Sequence, residues 1–196
     1  MWEQRYGADT YIYGTEPNDF LRDQIHSLPD GPVLCLAEGE GRNAVFVAAT
    51  GREVHSVDLT ESGVAKTRRL AQERGVSVNA VMADLATHDI GDERWGAVVS
   101  IFAHMPPHVR RDLHARVVAA LRPGGVLLLE AYTPDQIGRG TGGPAVAEMT
   151  MSLDLLREEL EGLEFLHALE TERVVVEGAG HTGVGAVVQV IARKPG

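Results

Sequence analysis

Between residues 33 and 131 the chain alternates short apolar runs with helix-like stretches, and that rhythm leaves few folds open. Val33–Ala37 is an apolar run closed by glycines and reads as a buried strand. Asn43–Thr50 is helix-like and stops at Gly51. Glu53–Asp58 is a second strand. Thr60–Arg74 follows as a helix, with Thr60 as N-cap and Gly75 as C-cap. Ser77–Met82 and Trp95–Phe102 read as the third and fourth strands. Pro107–Leu121 is a long helix, Pro123-Gly124-Gly125 a turn, and Val126–Ala131 the fifth strand. Strands that alternate with helices at this spacing form βαβ units, hence a parallel α/β sheet covered on both faces.

After Tyr132 the rhythm changes. Residues 134–147 are rich in Gly and Pro and read as a loop, and Leu153–Leu160 as a short helix. Phe165–Glu177 and Ala186–Ala192 then follow with no helix between them, so they pair antiparallel or lie apart. Ahead of the first strand, residues 1–30 carry Trp2/Tyr6 and Tyr11/Tyr13. Asp19–Leu28 reads as an amphipathic helix with Phe20, Leu21, Ile25 and Leu28 on one face. We expect one domain over 1–196, with 1–30 as an arm and helix and 31–196 as the core.

The net charge is −10, which disfavours nucleic acid as a partner. The lone cysteine, Cys35, lies in an apolar run and excludes an internal disulfide. No apolar run has the length of a membrane span, and Met1-Trp2-Glu3-Gln4-Arg5 has no signal-peptide core, so the expected compartment is cytoplasmic, with no membrane partner. There is no metal-ligand spacing of the Cys-x-x-Cys or His-Glu-x-x-His kind.

In an open α/β sheet, ligands bind beyond the carboxyl ends of the strands where the strand order reverses. Three strand ends here carry suitable residues. Glu38-Gly39-Glu40-Gly41-Arg42-Asn43 follows the first strand and opens a helix. Its glycines allow a sharp turn, and its two carboxylates disfavour a pyrophosphate and favour a ligand with a cationic part. Asp58 ends the second strand, where a carboxylate accepts from ribose hydroxyls. Asp84-Leu85 follows the third and suits an adenine, the acid accepting from the exocyclic amine and the leucine packing on the ring.

Glycine loop, ribose acid and adenine acid in this order resemble the class I S-adenosylmethionine-dependent methyltransferases, over roughly residues 30–132. Leu121-Arg122-Pro123-Gly124-Gly125 looks like that family's Leu-x-Pro-Gly-Gly element. The resemblance implies a doubly wound, Rossmann-like sheet of seven strands, order 3-2-1-4-5-7-6, with strand 7 antiparallel, and S-adenosyl-L-methionine as cofactor. The first loop departs from the family's Asp-x-Gly-x-Gly-x-Gly, with Cys35 and Ala37 in its first two marked positions. Trp2, Tyr6, the Tyr13-to-Asn18 arm, Gly41-Arg42-Asn43-Ala44 and His181-x-Gly also look like the branch of tellurite-resistance and thiopurine-type methyltransferases, in which an N-terminal arm closes over the cofactor. The implied cofactor contacts are Tyr11, Tyr13, Asn18, Glu38, Gly39, Glu40, Gly41, Arg42, Asn43, Asp58, Leu59, Asp84, Leu85, Ile101 and Phe102.

On the acceptor side, His104 follows the fourth strand and His181 precedes the last; both are candidate catalytic residues, able to accept a proton near neutral pH. Glu130 and Tyr132 end the fifth strand and are candidates to line the pocket. In-line methyl transfer needs alignment more than acid–base machinery, and a soft S, Se or Te nucleophile needs no base. The expected partner is a small-molecule substrate, and the expected state a monomer or homodimer. Two rivals are a non-catalytic S-adenosylmethionine-binding protein and a nicotinamide-dependent oxidoreductase, the latter opposed by Glu38 and Glu40.

Overall fold

The computed structural model describes residues 2–196. Seven strands form one sheet: β1 (Val33–Leu36), β2 (Val54–Asp58), β3 (Asn79–Met82), β4 (Trp95–Ile101), β5 (Leu121–Tyr132), β6 (Glu164–Glu177) and β7 (His181–Arg193). Their order is β3-β2-β1-β4-β5-β7-β6. The first five are parallel, and β7 runs antiparallel to both β5 and β6. The helices are α1 (Trp2–Tyr6), α2 (Asp19–Asp23), α3 (Arg42–Ala49), α4 (Glu61–Glu73), α5 (Pro107–Ala120) and α6 (Leu153–Glu159).

Side-chain alternation along the strands divides the core in two. Val33 and Cys35 of β1 join Ala97 and Val99 of β4, Leu128 of β5 and Ala44 and Val47 of α3 on one face. Leu34 and Leu36 join Val98, Leu127, Leu129, and Leu113 and Val117 of α5 on the other. A strand buried on both faces needs no polar side, which is why these strands read as continuous apolar runs. Burial raises the Cys35 thiol well above its ordinary range, in keeping with an inert core residue.

Three elements differ from the sequence reading. The amphipathic stretch 19–28 is a short α2 followed by a 3-10 turn at Ile25–Ser27, broken at Gln24. Its apolar residues still pack inward, so the pattern recorded the buried face but not the helix length. Pro123-Gly124-Gly125 lies inside β5 rather than before it. The register skips from Trp95↔Leu121 to Ala97↔Val126, and the extra residues bulge out. A β-carbon on Gly125 would lie 2.8 Å from the Arg122 carbonyl oxygen, so the bulge requires glycine.

The last strand also starts five residues earlier than expected, at His181 rather than Ala186. Pairing of β5 with β7 stops at Tyr132↔Val187, while β6 and β7 stay paired to Glu177↔His181. The hairpin therefore overhangs the sheet by roughly 20 Å at ~3.4 Å per residue. It overhangs at the carboxyl ends of the parallel strands, where its turn meets the N-terminal arm: Gly180 N–H donates to the Ile12 carbonyl at 3.2 Å.

Candidate active site

The turn after β1 is held open by left-handed backbone at Ala37 (φ 47°), Gly39 (φ 66°) and Gly41 (φ 97°). Helix α4 packs directly on it. A β-carbon on Gly41 would lie 2.6 Å from Thr67 Cα, and one on Gly63 would lie 2.6 Å from the Gly39 carbonyl oxygen. Asp58 joins the two. Its Oδ2 accepts from Gly39 N–H at 2.8 Å, and its Oδ1 accepts from Thr60 N–H at 3.0 Å and the Thr60 hydroxyl at 2.6 Å. A carboxylate oxygen has capacity for a second donor, so Asp58 can fix the loop and still accept from a ligand hydroxyl.

The two loop glutamates have separate tasks. Glu38 Oε1 accepts from Asn43 and Ala44 N–H at 2.9 and 2.8 Å, capping α3. Burial pushes its carboxyl up to about 7. Glu40 pairs with Lys66 at 2.7 Å and accepts from Ile12 N–H at 2.8 Å, tying the arm to α4. Its charge is compensated by Lys66. Of the two loop carboxylates expected to face a cationic ligand, Glu40 is therefore committed within the fold.

Tyr6 of α1 stands over this loop, a residue the sequence reading did not single out as a contact. Its hydroxyl would be 2.8 Å from a β-carbon on Gly39. Burial raises its phenol far above the usual range, and Asp58, Glu40 and Glu38 add to the shift. The sequence signal was present in the Trp2/Tyr6 spacing of one helical turn, which stacks the two rings at 5.7 Å. Glu3 on the same turn accepts from Glu61 and Ser62 N–H at the start of α4, at 2.9 and 3.1 Å.

Beyond β2 and β3 the surface is apolar and open. Leu59 is 61% and Met82 57% exposed, and Asp84 lies exposed nearby in sequence. Leu85, expected to pack on a ring, instead belongs to the core beneath. The apolar surface at these strand tips comes from Leu59 and Met82.

At the ends of β4, β5 and the start of β7 an aromatic group assembles. Phe102, which follows Ile101 with φ 51°, stacks on Tyr132 at 4.5 Å and meets the His181 edge at 4.6 Å. Tyr13 reaches His181 from the arm at 4.5 Å. His104 is committed on both nitrogens: Nδ1–H donates to the Met149 carbonyl at 2.8 Å, and Nε2 accepts from Tyr132 N–H at 3.2 Å. Burial lowers its pKa to about 4, so the ring is neutral and structural in its bonding. Burial likewise lowers His181 to about 3.

Other expected contacts point elsewhere. Tyr11 lies against the cations of Lys66 and Arg69 on α4. Asn18 is fully buried, donating to Glu130 at 2.6 Å and Glu177 at 2.8 Å, and its N–H donates to Asn43 Oδ1. Arg42 pairs with Glu177 at 2.5 Å, while Arg173 binds Glu130 through two nitrogens and Glu177 through one. Burial works against ionised Glu177, but Arg42 and Arg173 outweigh it and hold its carboxyl below the ordinary range. Arg173 and Glu177 carry no local sequence signal, because they become neighbours of Asn18 only when the hairpin folds back. Among the described residues no helix is long and apolar enough to cross a membrane.

Comparison with known proteins fits this geometry. Residues 33–125 match a family model described as a methyltransferase domain. A tRNA 5-carboxymethoxyuridine methyltransferase of Escherichia coli (strain K12) is 31% identical over 107 residues, 51% of this chain and 40% of that protein. The chain spans from 39% to 52% of the length of the curated relatives it matches. A structure solved in work on converting a disulfide bond into a thioacetal group during echinomycin biosynthesis superposes with a TM-score of 0.78. It is 19% identical, over 98% of this chain and 88% of that one. TehB from Haemophilus influenzae gives 0.74 at 18% identity, over 98% and 65%. The whole chain thus shares its fold with these structures, and its residues 33–125 match the methyltransferase domain family.

Proposed function

We propose that this chain transfers a methyl group from S-adenosyl-L-methionine to a small-molecule acceptor. One observation carries the reading. The segment that matches the methyltransferase family contains the glycine loop and Asp58, and the two are bonded across the tips of β1 and β2, beside the strand-order reversal between β1 and β4. The residues fit such a cofactor: Asp58 for the ribose, Leu59, Met82 and Asp84 for the adenine, the Gly39–Gly41 turn and Tyr6 for the chain between base and sulfur. The Phe102, Tyr13, Tyr132 and His181 rings would border the sulfonium, whose charge an aromatic face favours. The cofactor supplies an electrophilic methyl; the chain's own residues align it and exclude water.

With pKa values pushed down by burial to about 4 and 3, His104 and His181 hold a proton too weakly to serve as bases near neutral pH. A nucleophile that needs no base, such as a thiolate or its selenium or tellurium counterpart, suits this pocket. The net charge of −10 argues against a tRNA acceptor, although the Escherichia coli relative puts tRNA in the test panel.

The test is calorimetric titration with S-adenosylhomocysteine and with NAD, followed by labelled methyl transfer to thiols, selenite and tRNA. Asp58→Ala should abolish measurable S-adenosylhomocysteine binding. Unchanged affinity would refute the ribose assignment, and tight NAD binding with no S-adenosylhomocysteine binding would refute the cofactor.

A further inference from the structure

A buried polar atom without a partner costs free energy, so folded proteins keep few of them. Among the described residues five buried side-chain atoms lack a hydrogen-bond partner: Arg42 Nη1, Arg52 Nε, Tyr132 Oη, His167 Nε2 and His181 Nδ1. Three of the five belong to residues linked in one cluster. Arg42 holds Glu177 through Nη2 at 2.5 Å and leaves Nη1 unused. Glu177 and His181 are cross-strand partners on either side of the hairpin turn. The His181 ring meets the Tyr132 ring edge-on at 5.3 Å. All three residues are more than nine-tenths buried, at 7%, 7% and 0% exposure for Arg42, His181 and Tyr132.

We propose that Arg42, Tyr132 and His181 form a subsite for a carboxylate carried by the methyl acceptor. This rests on the methyl-transfer reading above. The unused groups include a guanidinium N–H and a phenol O–H, which are donors, and a neutral imidazole nitrogen that donates in one tautomer. A guanidinium already bound to one carboxylate through Nη2 can take a second through Nη1. The buried charges balance, Arg42 and Arg173 standing against Glu130 and Glu177, with the half-exposed Asp19 also on Arg173 at 3.5 Å. A singly charged carboxylate held by directed donors suits such a setting better than a dianionic phosphate, which Glu130 and Glu177 would repel.

The loop 138–143 packs against Tyr132 and His181. A β-carbon on Gly142 would lie 2.7 Å from His181 Cδ2 and 3.3 Å from Tyr132 Oη, so the loop closes on the subsite only because it carries no side chain there. The loop is fastened by Gln136 Nε2 to Thr141 Oγ1 and the Gly142 carbonyl, both at 2.9 Å, and to β7 by the Thr141 hydroxyl donating to the Val184 carbonyl at 3.1 Å.

A carboxylate here has two possible owners, the acceptor or the amino-acid end of the cofactor, and the experiment separates them. Mercaptoacetate and its neutral counterpart 2-mercaptoethanol are titrated into the free protein and into protein saturated with S-adenosylhomocysteine. Mercaptoacetate should bind about tenfold more tightly, the size of one good charge-assisted hydrogen bond. Tyr132→Phe removes only an unpartnered hydroxyl. Phenylalanine keeps the ring that would border the sulfonium, so the variant should melt no lower than wild type and lose most of the mercaptoacetate preference. Equal binding of the two probes, failure of both, or a preference that survives Tyr132→Phe overturns the proposal. A variant that weakens S-adenosylhomocysteine instead overturns the acceptor assignment in favour of the cofactor. Failure of S-adenosylhomocysteine to bind wild type is a failure of the methyl-transfer reading, and the probe pair on the free protein still decides the subsite.

Discussion

Replacing Asn18 with aspartate changes one NH2 group to an oxygen, at the point where the arm is locked to the sheet. Asn18 Oδ1 accepts from Leu21 N–H at 2.9 Å and caps α2. Aspartate caps equally well, so that bond survives. The Nδ2 group, however, donates to Glu130 at 2.6 Å and Glu177 at 2.8 Å in a fully buried setting. Each hydrogen bond to a charged group contributes about 1.5–3 kcal/mol, so losing both costs about 3–6 kcal/mol. A third carboxylate facing two others adds repulsion. Domains of this size have about 5–15 kcal/mol in all, so Asn18→Asp should be marginal or unfolded at pH 7.5.

The sign with pH is fixed. Burial among carboxylates raises the introduced carboxyl above its unfolded value. Its favourable protonated form is therefore retained below that value and lost as pH rises through the folded one. The gap to wild type should narrow as pH falls from 7.5 to 5. Urea unfolding followed by circular dichroism measures this, with Asn18→Ala as comparator. Alanine loses the cap and the network but adds no charge, so it should rank between wild type and Asn18→Asp at pH 7.5. A variant Asn18→Asp as stable as wild type, or a gap indifferent to pH, would refute the reasoning.

Glu38 makes a second pH prediction of definite sign. Its folded pKa of about 7 exceeds the ordinary 4.5, so its contribution is full below about 4.5 and lost by about 7. Both loop N–H groups bond to Oε1, which leaves Oε2 to carry the proton. Relative to Glu38→Gln, wild type should lose about 3 kcal/mol between pH 4.5 and 7; a pH-independent difference in paired urea titrations would rule this out. Gly63→Ala separates local preference from packing. Alanine favours a helix over glycine by about 1 kcal/mol, but its β-carbon would lie 2.6 Å from the Gly39 carbonyl oxygen and Thr60 Oγ1. We expect a net loss of about 1–3 kcal/mol and weaker S-adenosylhomocysteine binding, whereas Gly51→Ala, open on all sides, should lose about 1 kcal/mol with binding unchanged. A stabilised Gly63→Ala in thermal melts would contradict the packing.

The strand-end residues divide into those the sequence placed and those it could not explain. Asp58 was legible because its position depends only on where β2 ends. The role of Glu40 was not, since Lys66 lies 26 residues away and reaches it only through the packing of α4. His104 looked like a base because it follows β4. The Met149 carbonyl and Tyr132 N–H that occupy its nitrogens come from segments with no sequence relation to it. Asn18 entered as a cofactor contact through the resemblance of the N-terminal arm, and a polar residue in an aromatic arm gives no hint of Glu130, 112 positions later.

The sequence by itself marked a parallel α/β core, because strands and helices alternate over 33–131, and it left the two late strands to pair antiparallel or lie apart; the strand order came from the family resemblance. The sequence also determined which strand ends carry acids. Only the tertiary structure decided what those acids do. The overhanging β6–β7 hairpin, the arm and α4 meet above the strand ends, and their hydrogen-bond partners are separated by tens of residues. Burial there spends Glu40, Asn18 and His104 on the fold and leaves Arg42, Tyr132 and His181 with atoms unpaired. Such a division depends on three-dimensional proximity and desolvation, which local spacing does not encode.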